Sequence, residues 1–406
     1  MYKVLGNIYH PIIHKIRNSQ FLHVIAINKM LKKSIKNENR KNRLYVDITN
    51  LHTKDNGTGI DRVTKEISSR FVNFTKKYNV VCIYNKNFNG YYDVTSDSFI
   101  TFSKGDIYFS LDDGTSYSAK YDRLFNKLIS EDISVFFFIH DLIPIRFPEL
   151  SYSKNALKKY DSFLRRIITY SGVICNSYST YKDFCSWISE NTGLKKNNQL
   201  RIGYSLLGCD FSARKKFNAP SPPGEKYNNT IKFLMVATVE PKKKYDQVIK
   251  AFDIIWKKGY NIQLTIVGRK GWKSEKTFSL IEQNNEYGKR LVWYNTGISD
   301  EELFTLYEES TSIIMASITE GFGLSVAEAA HFEKPLIVRD IPPFREIAGD
   351  NAFYFTGLEP EDLASAIEKW IELFHTARQP NSSKIKLRTW DDCAKEIYTF
   401  ITGEQP

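Results

Sequence analysis

Two α/β domains, each a parallel sheet covered by helices, are predicted for this chain on two observations. Short runs of β-branched and aromatic residues alternate with helical stretches along most of its length, and the alternation is interrupted once. The interruption, residues 213–230 (ARKKFNAPSPPGEKYNNT), mixes Pro, Gly, Asn and Lys without an apolar period, as a surface linker does. A chain of 406 residues, 42% hydrophobic and 25% charged, is long and apolar enough for two cores of ordinary size.

Before the linker, strands are predicted at 44–48, 80–84, 107–110, 135–139, 173–176 and 202–206, with helical stretches between them. Strand–helix alternation of this kind implies a parallel sheet, since parallel neighbours need a crossover connection. Residues 43–212 therefore read as one Rossmann-like domain. Beyond the linker, strands are predicted at 233–237, 264–267, 291–294, 313–316 and 336–338, separated by amphipathic segments such as 247–257 and 300–309, which gives a second Rossmann-like domain over 231–385. In the tail, 386–406, Trp390, Cys393, Ile397 and Phe400 fall at helical spacing and suit a helix packing back across either domain.

The formal net charge of +11 is unevenly distributed: residues 1–43 hold ten Lys/Arg against the single acid Glu38. The remaining body is nearly neutral, which argues against a general polyanion-binding surface and against nucleic acid as a partner. Within the leader, 1–42, Ile12, Ile16, Val24, Ile27, Leu31 and Ile35 keep helical spacing while Lys29, Lys32, Lys33 and Lys36 point elsewhere. A basic amphipathic helix suits an anionic membrane surface and equally a helix resting on its own protein. The five cysteines lack CxxC spacing and read as reduced thiols, which favours a cytoplasmic setting. No uncharged apolar window of membrane-spanning length and no signal-peptide pattern are found.

The segment with most chemical content is SITEGFGLSVAEAAHFEKPLIVRDIPPFREIAGD, residues 317–350. A strand is expected to end near Ser317, the loop Glu320-Gly321-Phe322-Gly323 to follow, and a helix to begin near Leu324. Glycines let backbone approach a ligand closely, and the first-turn N–H groups of a helix attract an anion such as a diphosphate. Glu320 precedes that anion site and Glu328 lies about one turn into the helix. Their carboxylates suit hydroxyl-rich groups at the two ends of a bound diphosphate compound better than the phosphates themselves.

This pattern, from Glu-Gly-Phe-Gly-Leu to Phe-Arg-Glu-Ile-Ala-Gly-Asp, resembles the donor-binding signature of family 4 retaining glycosyltransferases. These have the GT-B fold, two Rossmann-like domains facing each other across a cleft. The resemblance implies that Glu320 contacts the transferred sugar, that Glu328 binds the nucleotide ribose, and that backbone around Gly321, Phe322, Gly323 and Leu324 faces sugar and phosphate. Residues 233–252 (FLMVATVEPKKKYDQVIKAF) resemble the family's diphosphate-holding turn, with Lys243 at its Lys position and Lys242 where Arg is more usual. Ser325 and Thr238 stand where Pro and Arg are common. In IVGRKGW, residues 266–272, Arg269 either touches phosphate or solvates a strand end.

In the N-terminal half, FFFIHDLIPIRFPE (136–149) resembles the family's His-Asp segment, which makes His140 a catalytic-site candidate with Glu320 and Lys243; a lone histidine after an apolar strand is otherwise a structural residue. VDITNLHTKDNGTGIDRVTKEI (46–67) resembles the acceptor-side loop of a mannosyltransferase-like subgroup, implicating Gly57, Thr58, Gly59 and Arg62. Arg62 equally suits a surface pair with Glu66 one helical turn on.

The resemblance spans about residues 44–400 and implies a retaining hexosyltransferase. The best-matching donor is GDP-mannose, and the acceptor is a lipid-linked saccharide of bacterial lipopolysaccharide, capsule or exopolysaccharide assembly, met at the inner face of the membrane. No cofactor is expected, and with no Asp-x-Asp triplet in the chain, no metal. Competing readings are a sugar-nucleotide epimerase of the same fold and a catalytically inactive sugar-nucleotide-binding partner.

Overall fold

The computed structural model describes residues 40–74, 76–86, 90–114, 120–210 and 230–405. The expected leader lies almost wholly outside the described residues, as does all but the last residue of the expected linker.

In chain order the first unit contains β1 (Arg43–Asp47), α1 (Thr49–Thr53), α2 (Gly59–Phe71), β2 (Asn79–Asn85), β3 (Tyr91–Asp93), β4 (Ile107–Ser110) and α3 (Lys120–Ser130). It continues through β5 (Ser134–Ile139), α4 (Ile143–Arg146), α5 (Lys154–Ile167), β6 (Gly172–Cys175), α6 (Tyr178–Glu190) and β7 (Arg201–Tyr204). The second unit opens with β8 (Ile231–Val236), α7 (Tyr245–Lys257), β9 (Ile262–Val267), α8 (Glu275–Glu282), β10 (Leu291–Tyr294) and α9 (Asp300–Glu309). It goes on through β11 (Ser312–Met315), α10 (Leu324–His331), β12 (Leu336–Arg339), α11 (Pro342–Ala348), β13 (Phe353–Phe355) and α12 (Pro360–His375). A last helix, α13 (Trp390–Thr402), follows.

The strands form two sheets, ordered β3-β2-β1-β4-β5-β6-β7 and β10-β9-β8-β11-β12-β13. Every pairing is parallel except β2 with β3. Strands β3 and β13 are additions to the expected list; at three residues each they are too short to show a period. Central strands are covered on both faces, and β4, β6, β11 and β12 are buried throughout. That is why they read as continuous apolar runs rather than alternations. On one side of the first sheet Tyr45, Tyr108 and Phe137 join a cluster with α3 and α5; on the other Val46, Phe109 and Phe138 join α2 and α13.

Helix α13 thus completes the first domain, not the second. Trp390, Cys393, Ile397, Tyr398 and Ile401 are buried with Leu44, Phe71 and Phe109. Residues 206–209 run beside its start: a Cβ on Gly208 would lie 2.2 Å from the Trp390 nitrogen, and the Cys209 N–H donates to the Arg388 carbonyl at 2.9 Å.

In both sheets the strand order reverses at one place, between β1 and β4 and between β8 and β11. Loops leaving the carboxyl ends of strands at such a point diverge to opposite faces and leave a crevice, where ligands of open α/β sheets bind. Ile397→Ala, by opening a cavity beneath β1 and β4, should cost about 2–5 kcal/mol and lower the urea midpoint of unfolding accordingly.

Candidate active site

The two crevices open toward each other and form one cleft of about 830 Å³. Loops from both domains line it, including Thr58 and Gly59 after β1, Asp112 and Asp113 after β4, His140 and Asp141 after β5, and Asn176 after β6. From the second domain come Thr238, Glu240, Lys242 and Lys243 after β8, Arg269 to Trp272 after β9, and Glu320 to Ser325 after β11.

The domains touch at Gly321. Its carbonyl accepts hydrogen bonds from Ser177 Oγ at 2.5 Å and Thr180 Oγ1 at 3.0 Å. A Cβ at this position would stand 2.0 Å from the His140 carbonyl oxygen, so only glycine permits the loop to rest on the His-Asp segment. Nearby, Glu346 of α11 accepts from the Tyr178 N–H at 2.6 Å and the Ser179 N–H at 2.9 Å, satisfying donors at the start of α6 with a carboxylate from the other domain.

Glu320 and the lysine turn are assembled by the neighbouring strands β8 and β11. After β8 the chain makes a single 3₁₀ turn at Pro241–Lys243, and the Ile318 N–H donates to the Lys242 carbonyl at 2.9 Å, binding the two loops together. Lys243 Nζ lies 2.5 Å from Glu320 Oε1, and Lys242 Nζ lies 3.3 Å from Glu240 Oε1. Burial opposes the charge on Glu320, yet the lysine pair outweighs it and holds the carboxyl below its usual range. Burial likewise opposes the charge on Lys242, but Glu320 and Glu240 keep its ammonium above its ordinary value. Lys242 therefore presents positive charge near an ionised Glu320.

Next on that side, Gly323 takes φ 107° and starts α10, whose N-terminus has no side-chain cap. Its uncapped first-turn amides lie at the cleft wall, where helix N–H groups are open to a ligand. Across the cleft, His140 is buried, with Nε2 donating to the Leu111 carbonyl at 2.8 Å. Burial depresses its pKa, so the ring is neutral with the Nε2 tautomer fixed. Asn176 donates from Nδ2 to the His140 carbonyl at 2.6 Å, while its buried Oδ1 has no partner among the described residues.

Two residues make a cross-domain contact that the sequence did not suggest. Glu328 does not line the cleft: Oε1 is paired with Arg62 and Oε2 accepts from Tyr307 OH at 3.0 Å, and burial raises its pKa despite the guanidinium. Arg62 pairs with Glu328 of the other domain, and Glu66 pairs with Arg70. An ion pair one turn along a helix surface gains little, so i,i+4 spacing is a weak guide to the partner an arginine takes. Of the residues expected beside the acceptor, Thr58 caps α2 in a capping box with Asp61, and Gly57 supplies the left-handed turn before it with φ 61°. Arg269 lines the cleft, and its carbonyl accepts from the Val239 N–H at 3.0 Å.

The sequence reading missed Asp112, Asp113, Glu240 and Trp272. The first three are strand-end polar residues, which a parallel sheet delivers to its crevice. Asp112, buried near Asp47, has its pKa pushed well above the carboxylate range by burial and by that neighbouring charge. Among the described residues no group of three or more His, Cys, Asp and Glu is placed to hold a metal ion, and no helix is long and apolar enough to cross a membrane.

Fold and cleft together define a two-domain α/β protein of the GT-B class. Residues 218–386 match the family model described as Glycosyl transferases group 1, and the chain carries a domain of that family. The serotype-specific mannosyltransferase WbdA of Escherichia coli is 32% identical over 374 residues, which are 87% of this chain and 45% of that protein. The O-antigen chain mannosyltransferase RfbU of Salmonella typhimurium is 29% identical over 234 residues, 57% of this chain and 59% of the relative. The chain thus spans about half the length of the curated relatives it matches. Sucrose-phosphate synthase of Thermosynechococcus elongatus shares the fold, with a TM-score of 0.61 at 13% identity over 88% of this chain and 98% of that one.

Gly321→Ala should force the two domains apart at the His140 carbonyl, seen as a larger radius of gyration in small-angle X-ray scattering with secondary structure unchanged. Because the Glu320 pKa is lowered on folding, its ionisation stabilises the protein above the ordinary carboxylate value and ceases to do so as pH falls through the lowered one. The stability difference between wild type and Glu320→Gln should therefore shrink in denaturant titrations as pH falls below the ordinary carboxylate value.

Proposed function

We propose that the protein transfers a hexose from a sugar nucleotide to a saccharide hydroxyl with retention of configuration. The observation that carries this is the pairing of Lys243 with Glu320 beside Lys242 and the uncapped start of α10, all facing His140 across an interdomain cleft. Cations and helix amides on one wall suit a diphosphate, and a carboxylate next to them suits sugar hydroxyls.

In this reading the donor diphosphate lies against Lys242, Lys243 and α10. The bond from the sugar C1 to the diphosphate oxygen breaks, and negative charge on the departing diphosphate is stabilised by groups already in place. The acceptor oxygen bonds to C1 from the same face, and its proton passes to an oxygen of the leaving diphosphate. Glu320 orients the transferred sugar. His140, neutral and fixed through Nε2, offers a dipole rather than a charge near the reacting carbon, and Asn176 Oδ1 offers an acceptor for a sugar hydroxyl.

Mannose from GDP-mannose is the proposed donor group, supported by two relatives named as mannosyltransferases, and an O-antigen-type saccharide is the proposed acceptor. Lipid linkage of that acceptor, action at the inner face of the cytoplasmic membrane, and contact of the basic leader with anionic lipid belong to the same proposal; five free cysteines agree with a reducing compartment.

Nucleoside diphosphate release should be measured across GDP-, UDP- and dTDP-sugars with and without saccharide acceptor. Acceptor-dependent release from one donor is expected, and silence across the panel despite donor binding would support the inactive-partner reading instead. Glu320→Gln should lower turnover by about 10²–10³-fold and Lys243→Ala by at least about tenfold, with the fold intact by circular dichroism.

A further inference from the structure

A second hollow of about 200 Å³ opens off the cleft and is shared between the domains. Its walls are largely apolar, with Trp272, Tyr152, Tyr160, Pro144 and Pro241 contributing. Asp141, Lys242 and Trp272 line both this hollow and the main cleft, so the two spaces are continuous. Trp272 and Tyr152 are 37% and 72% exposed, a large aromatic area left facing solvent at the mouth of a binding cleft. The Trp272 loop is held in position: its Nε1 donates to the Leu150 carbonyl at 3.4 Å, and Lys273 Nζ donates to the Ser151 carbonyl at 2.6 Å.

We propose that this hollow is a subsite for a sugar unit of the acceptor saccharide, with Trp272 and Tyr152 as its stacking surfaces. The inference rests on the transferase reading above and adds where the acceptor lies. A pyranose ring has an apolar C–H face and a rim of hydroxyls. The hollow matches that division: aromatic rings and prolines form its walls, while the carboxylate of Asp141 and the ammonium of Lys242 stand on the side toward the cleft. The donor's phosphates are served by the lysine turn of the second domain, whereas most of the hollow's lining, from Ile143 to Tyr160, comes from the domain opposite. The occupant is therefore joined to the group that presents the nucleophilic hydroxyl at Glu320. Subsite contacts of this type fix which hydroxyl of a growing chain reaches the reaction centre.

Tryptophan fluorescence of the full chain, titrated with α-mannotriose in the absence of donor, tests the subsite without requiring turnover. A saturable change is expected in wild type and not in Trp272→Ala. In transfer assays Trp272→Ala and Tyr152→Ala should each raise the acceptor KM about tenfold while the donor KM stays the same. Trp272→Phe, which keeps a ring but loses the Nε1–H, should stay close to wild type. An acceptor KM unmoved by Trp272→Ala would overturn the proposal. So would equal impairment in Trp272→Ala and Trp272→Phe, since that assigns the residue to domain docking through Leu150. A fluorescence response to polyprenyl phosphate and none to mannotriose would give the hollow to a lipid chain and sink the saccharide assignment. Saturable mannotriose binding without nucleoside diphosphate release from any donor would instead defeat the transferase reading and leave the subsite standing.

Discussion

The close approach of Gly321 to the His140 carbonyl is the contact on which the rest of the site depends. Strand β11 delivers the glycine and strand β5 the histidine, and neither sheet alone creates a cleft. Ser177 and Thr180 close on the Gly321 carbonyl from α6, so the loop carrying Glu320 is positioned by its own domain and by the opposite one. Glu346, donated to the start of α6 from α11, repeats the pattern a few residues away. Polar contacts between the domains are thus made at helix and strand ends, where hydrogen bonds are directional, and Phe322 and Ala327 add apolar ones.

Charge is arranged as neighbouring opposites: Glu240 with Lys242 and Lys243 with Glu320 in the cleft, and Arg62 with Glu328 beside it. Buried ion pairs contribute little net stability, because desolvation offsets attraction, whereas an unpaired buried charge is costly. Such pairs fit a site whose cations must be available to an anionic ligand. A diphosphate approaching Lys243 adds a second anionic partner next to Glu320, and the turn is then balanced by Lys242 as well. Glu328 is different in kind, because its partner comes from the other domain. Arg62 joins α2 of the first domain to α10 of the second.

Much of the architecture was legible because both sheets are parallel and buried. A strand covered on both faces must be apolar along its length, so Phe136–Ile139 or Ile313–Met315 announce themselves. Two of the four edge strands were not legible: β3 and β13 are short, and no periodicity accumulates over three residues. Lys243, Glu320 and the glycines between Glu320 and Leu324 stood out because loop, turn and helix start are contiguous in the chain. Trp272 and the Arg62–Glu328 pair did not, for the opposite reason. Their significance lies in what faces them across the cleft, and a residue 266 positions away leaves no local trace. The i,i+4 spacing of Arg62 and Glu66 even suggested a different partner.

Helix α13 gives the molecule a further property. The second sheet has all its strands between Ile231 and Phe355, whereas the first borrows part of its core from Trp390–Ile401. During synthesis the chain emerges from its amino end, and the usual expectation is that the leading domain folds first. In this protein the leading domain waits with Leu44, Phe71 and Phe109 uncovered on one face until the last helix has emerged, while the trailing domain already has every strand it needs. The order of completion on the ribosome is therefore the reverse of the order along the chain, and the cleft can form only when both are finished.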